Sequence, residues 1–89
     1  MNAIIVSVTI NDAEKATETL RNEIVPQVSQ APGFVAGYWV SLDNRSQGRG
    51  TIVFESEEAA SAVADQIHQM AGDEVTLDNV QVGQVEARA

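Results

Sequence analysis

The chain has 89 residues, of which 44% are hydrophobic and 20% charged, with a formal net charge of −8. That length makes one domain, residues 1–89, burying roughly 60–65% of its unfolded surface, a margin thin enough for self-association to help. Thirteen acids against five bases exclude nucleic acid and anionic membrane surfaces as partners, and the lack of cysteine excludes disulfides, thiolate metal sites and thiol catalysis.

The elements follow in order. Even positions Ile4, Val6, Val8 and Ile10 are aliphatic, whereas Ala3, Ile5, Ser7 and Thr9 are smaller or more polar. Alternation of this kind predicts a first strand over Ala3–Ile10 with one dry face. The segment is too short to span a membrane and has no basic flank, so it is not a signal peptide, and the expected compartment is the cytoplasm. Asn11 with Glu14 three residues on reads as a helix start. Ala13, Ala16, Leu20, Ile24 and Val28 then form one apolar stripe. Pro26 cannot donate to the Asn22 carbonyl, so a kink or loosened turn is expected there. Ala31-Pro32-Gly33 ends the helix.

Phe34 to Leu42 predicts a second strand, and Thr51 to Glu55 a third, joined by the polar turn Asp43–Gly48 as an antiparallel hairpin. Ser56 caps a second helix with Glu57 and Glu58 in its first turn. Ala60, Val63, Ala64, Ile67 and Met70 or Ala71 form its stripe, and Gly72-Asp73 stops it. Val75 to Ala87 is the last extended segment, with a turn expected at Asp78-Asn79 and a bulge or bend at Gly83. The βαββαβ order predicts an α+β, ferredoxin-like fold: a four-stranded antiparallel sheet with two helices on one face.

Strict alternation places Phe34, Ala36, Tyr38, Val40, Leu42, Ile52 and Phe54 under the helices. It leaves Ile5, Val35, Trp39 and Val53 on the open face, a patch too apolar for water and therefore the expected homodimer interface.

Ala31-Pro32-Gly33-Phe34-Val35-Ala36-Gly37-Tyr38-Trp39 and Val53-Phe54-Glu55-Ser56-Glu57-Glu58-Ala59-Ala60 resemble the dimeric α/β-barrel superfamily, in its antibiotic-biosynthesis-monooxygenase-like branch. The resemblance implies face-to-face dimerisation of two sheets. It leaves the chemistry open, because the superfamily hosts oxygenases, haem-degrading enzymes, isomerases and members without assigned roles. The haem-degrading branch pairs a first-strand asparagine with a tryptophan and a histidine of the second helix. Here the tryptophan position falls near Val63, no amide lies between Ala3 and Ile10, and His68 comes about one turn early. Haem degradation is not expected.

His68, the only histidine, and Tyr38, the only phenol, are the candidate catalytic groups. Against them stands the plainer reading of a helix-surface histidine and a core tyrosine. Arg49 and Glu55 are candidates for a cross-barrel pair or a substrate carboxylate. The acids Asp73, Glu74 and Asp78 lack metal-site spacing, and Gly48-Arg49-Gly50 is followed by no helix. No cofactor and no metal are expected. Three functional readings follow: a homodimer with a pocket for a small apolar or aromatic metabolite, a cofactor-independent monooxygenase of an aromatic, polyketide-like substrate, and a non-catalytic binding or interaction module. Whether the chain is an enzyme is open at this level.

Overall fold

The computed structural model describes residues Met1–Ala89. Its elements are β1 (Asn2–Ile10), α1 (Ala13–Thr19), a π-helical turn (Leu20–Ile24), α2 (Val25–Ser29), β2 (Phe34–Leu42), β3 (Gln47–Phe54), α3 (Glu57–Met70) and β4 (Val75–Gln84). The sheet order is β2-β3-β1-β4 and every pairing is antiparallel. With the helices on one face, this is the ferredoxin-like fold that the element order predicts.

β1 is central, and its alternation decides which side is the core. Ile4 and Val6 are buried while Ile5 and Thr9 are exposed. Ile4, Val28, Ile52 and Phe54 lose nearly all contact with water, and α3 adds Ala60, Val63, Ala64 and Ile67 from the stripe read in the sequence. Each large aliphatic or aromatic side chain buried this way contributes about 1.5–3 kcal/mol.

Asp12, not Asn11, caps the first helix: its side chain accepts from the Lys15 amide at 3.1 Å. Asn11 instead donates through Nδ2 to the Asp73 carbonyl and to Thr76 Oγ1, tying the end of β1 to the start of β4. The loosened turn expected from Pro26 takes a definite form. The Val25 amide bonds the carbonyl of Leu20, five residues back, so the helix widens just before the proline. Apolar residues four apart overrun a 3.6-residue turn by about 40° at each step. One wider turn takes up that drift and keeps Leu20, Ile24 and Val28 toward the sheet.

The second strand departs from strict alternation. Phe34 stands opposite Phe54 and Ala36 opposite Val53, so Val35 is an extra residue, a bulge at the strand entrance. Phe34 keeps the helix side, its ring edge-on to Phe54 at 6.0 Å. Beyond the bulge every side chain changes face. Trp39 lies opposite Gly50, which itself faces buried Val6, so Trp39 is under the helices. Tyr38, opposite Thr51, is on the open face and 69% exposed. Val40 and Leu42 join it there, opposite Arg49 and Gln47. The expected assignments of Ala36, Tyr38, Val40 and Leu42 to the core and of Trp39 to the open face are therefore reversed.

β4 also differs from expectation. It runs unbroken through Asp78-Asn79, and its irregularity is at Asp78, the extra residue between the Ser7–Asn79 and Val8–Leu77 pairs. Thr9 Oγ1 donates to the Asp78 carboxylate at 2.8 Å, which holds that bulge on the surface. Gly83 pairs in register with Ala3 and needs no bulge.

Candidate functional site

A cavity of about 540 Å³ lies between the first helix and the sheet. Val6, Val8 and Ile52 floor it, Ala16, Leu20, Ile24 and Val28 form the helix wall, and Ile67, Met70 and Leu77 close one side. Its existence has a sequence cause. Gly48 and Gly50 occupy consecutive helix-facing positions of β3, and both are buried. A Cβ at Gly48 would come within 2.8 Å of Val8 Cγ2, so a side chain there would take up space in the floor. Across the gap the helix presents the small Ala13 and Ala16.

Trp39 does not fill the space it borders. A Cβ at Gly37 would lie 2.8 Å from its Cη2 and one at Gly50 3.1 Å from its Cδ1. The indole therefore spans two glycine positions along the sheet, with its ring as part of the cavity wall.

Six polar side chains line the cavity, Thr17, Arg21, Ser41, Arg45, Arg49 and Glu74, of which four are charged. Arg45 belongs to the β2–β3 turn, where Asp43, Asn44 and Arg45 all take left-handed dihedrals, with φ of 51°, 55° and 66°. Its guanidinium donates to the Ala13 carbonyl at 3.2 Å and to Thr17 Oγ1 at 3.0 Å, pinning the turn to α1. Glu74 sits at the entrance to β4 and is only 5% exposed. Its carbonyl accepts from the Asn11 and Asp12 amides, so the backbone there is fixed.

Neither candidate catalytic residue reaches this cavity. His68 is exposed on α3 beside Ile67, and Tyr38 projects from the opposite face of the sheet. Arg49 donates to the Gly48 carbonyl and to Gln47 Oε1, and exposed Glu55 takes no part in that contact. No group of three or more acids and histidines is arranged to hold a metal. β1 begins at Asn2, one residue before the expected start, but that amide is not among the cavity residues. Ile5 and Val35 are exposed, at 40% and 36%, and Val53 is half-buried. The residues missed by sequence reasoning are the glycine pair, Arg45 and Glu74. Two glycines two apart in a strand are the one signal that pointed to missing volume.

No family model matches the sequence, and no curated protein does. Solved structures match over the whole chain or nearly so, at TM-scores of 0.64 to 0.73. One is an MhuD variant with two manganese protoporphyrin IX bound per active site, 16% identical, TM-score 0.69, covering 100% of this chain and 98% of that one. Another is a dimeric ferredoxin-like protein from an uncultured marine organism, 11% identical, TM-score 0.68, with 100% and 98% coverage. A third is the ActVA-Orf6 monooxygenase of Streptomyces coelicolor in complex with nanaomycin D, 11% identical, TM-score 0.64, with 99% and 89% coverage. The chain shares the ferredoxin-like fold of these proteins.

Proposed function

We propose that this protein is a homodimer that binds a small apolar or aromatic metabolite in the cavity beneath its first helix. The observation that carries the reading is the cavity itself, about 540 Å³ lined mainly by aliphatic side chains and one indole. That volume falls within the range of small-molecule sites, and an apolar wall with few polar groups is their usual chemistry. The nanaomycin D complex of a similarly folded monooxygenase supports an aromatic occupant.

The open sheet face supports the dimer. Ile5, Val35, Tyr38, Val40 and Leu42 are exposed there, around half-buried Val53. A monomer would leave this group in water, and a similarly folded protein is described as dimeric. No helix is long and apolar enough to cross a membrane.

A cofactor-independent monooxygenase is the second reading, favoured by the monooxygenase among the matching structures. With His68 and Tyr38 outside the cavity, such a reaction would rest on binding, orientation and the polar groups at the cavity edge. A non-catalytic binding module needs the cavity alone.

Titration with naphthalene, followed through the single tryptophan, tests the binding reading. Saturable quenching at one site per chain is expected, and Ala16→Phe, which fills the cavity from the helix side, should abolish it. Quenching that never saturates, or that survives Ala16→Phe in a folded protein, overturns the reading.

A further inference from the structure

Of the charged groups around the cavity, Glu74 is the buried one. It is 95% removed from water by its 5% residual exposure, yet no protein group donates to its carboxylate and no basic side chain pairs with it. A carboxylate that takes no donor from the protein depends on water or a ligand to satisfy it. No side-chain oxygen in the protein is both sealed from the surface and unpaired, so the Glu74 oxygens keep their access, and Glu74 is part of the cavity wall. The local chain is shaped to allow this position. The carboxylate lies over Gly72: a Cβ there would fall 2.5 Å from Glu74 Oε2, so a side chain at that position would displace the carboxylate. The two amide bonds to the Glu74 carbonyl fix its backbone, at 2.8 and 3.1 Å.

We propose that Glu74 is the recognition group of this cavity and that the metabolite carries a hydroxyl donor on its aromatic or apolar body. This inference rests on the cavity-binding reading above and narrows it to a phenol- or alcohol-bearing ligand. An ionised carboxylate accepts from such a hydroxyl through a charge-assisted bond, which is stronger than a neutral one. The aliphatic walls take the rest of the molecule, and exclusion of water strengthens the one polar contact. A ligand lacking the donor leaves the carboxylate unpaired, so the site discriminates by the cost of that omission.

Three probes separate this from cavity binding in general: naphthalene, 1-naphthol and 1-methoxynaphthalene, titrated against the full chain by tryptophan quenching. The two oxygenated probes have similar bodies, and only the naphthol can donate. The wild type should bind 1-naphthol about 10-fold or more tightly than 1-methoxynaphthalene. Glu74→Met keeps the bulk and removes the acceptor, and should bring that ratio to about 1 while naphthalene affinity is held. The unliganded Glu74→Met protein should melt at or above the wild-type midpoint, since the carboxylate makes no protein hydrogen bond that the change would remove. Glu74→Gln, closer in shape, should give an intermediate ratio. Naphthalene binding with no preference for the naphthol overturns this inference and leaves the cavity reading standing. A preference that persists in Glu74→Met also overturns it. A lowered midpoint in both variants would make Glu74 a structural residue and do the same. If none of the three probes binds, both readings fall together.

Discussion

Trp39 lies across Gly50: a Cβ built on that glycine would meet indole Cδ1 at 3.1 Å and Nε1 at 3.2 Å. The spacing is tighter than ordinary contact but not prohibitive, and the indole borders empty volume into which it can tilt. Gly50→Ala should therefore change stability by no more than about 1 kcal/mol, because the strand also loses a flexible glycine from its unfolded state. The ring moves into the cavity instead, so naphthalene affinity should fall several-fold and tryptophan emission should shift. A melting curve together with a quenching titration checks both halves. An unchanged affinity would show that Trp39 does not set the cavity width.

The reversal of β2 takes Trp39 out of the sheet face proposed to dimerise. Trp39→Asp would strike the cavity wall, whereas Tyr38 and Val40 are 69% and 53% exposed on the open face. Val40→Asp places a charge where two sheets are proposed to meet and removes apolar area worth about 25 cal/mol per Å². Light scattering of the wild type should give twice the 9.5 kDa chain mass. Val40→Asp should scatter as a folded monomer with an unchanged far-ultraviolet spectrum. A monomeric wild type at tens of micromolar would remove the dimer from the proposal.

Element order and the core of this fold were legible because β1 and α3 obey single periods and the first helix keeps one stripe across its wider turn. Ile4, Val6, Val28 and Ile67 are buried where alternation and helical spacing place them. β2 was not legible past its first residue. One extra residue at Val35 inverts all that follows, and nothing about valine or alanine announces a bulge. The same limit hid the bulge at Asp78, since its stabilising partner Thr9 is 69 residues away in sequence. The candidate site was read from residue type, which favoured the sole histidine and phenol. Glu74 looked like one of several surface acids, and only the packing of the Gly72 turn against the end of β1 buries it.

Because His68 is exposed and Tyr38 faces away from the cavity, His68→Gln and Tyr38→Phe should leave naphthalene binding unchanged. The same placement bears on haem. Val63, at the expected tryptophan position, is packed in the core, and no cavity residue is a histidine. Incubation with haemin and a reductant should bleach the Soret band no faster than with an inert control protein. Conversion to an open tetrapyrrole that depends on the protein would contradict this, and its loss in His68→Gln would identify the ligand.

Arg45 offers a separable measure of turn strain and of the tie that closes the cavity end. Its φ of 66° is a left-handed conformation that costs a branched or long residue roughly 1–2 kcal/mol. Its guanidinium bonds to Ala13 and Thr17 offset part of that cost, each worth about 0.5–1.5 kcal/mol on an exposed surface. Arg45→Ala keeps the strain and loses both bonds, so it should destabilise by about 1–2 kcal/mol. Arg45→Gly loses the same bonds but relieves the backbone, and should stay within about 0.5 kcal/mol of the wild type. Urea titrations of the three proteins, compared at equal slope, read the difference directly. Equal losses in the two variants would mean that the turn is not strained at Arg45 and that the guanidinium contacts alone hold it against α1.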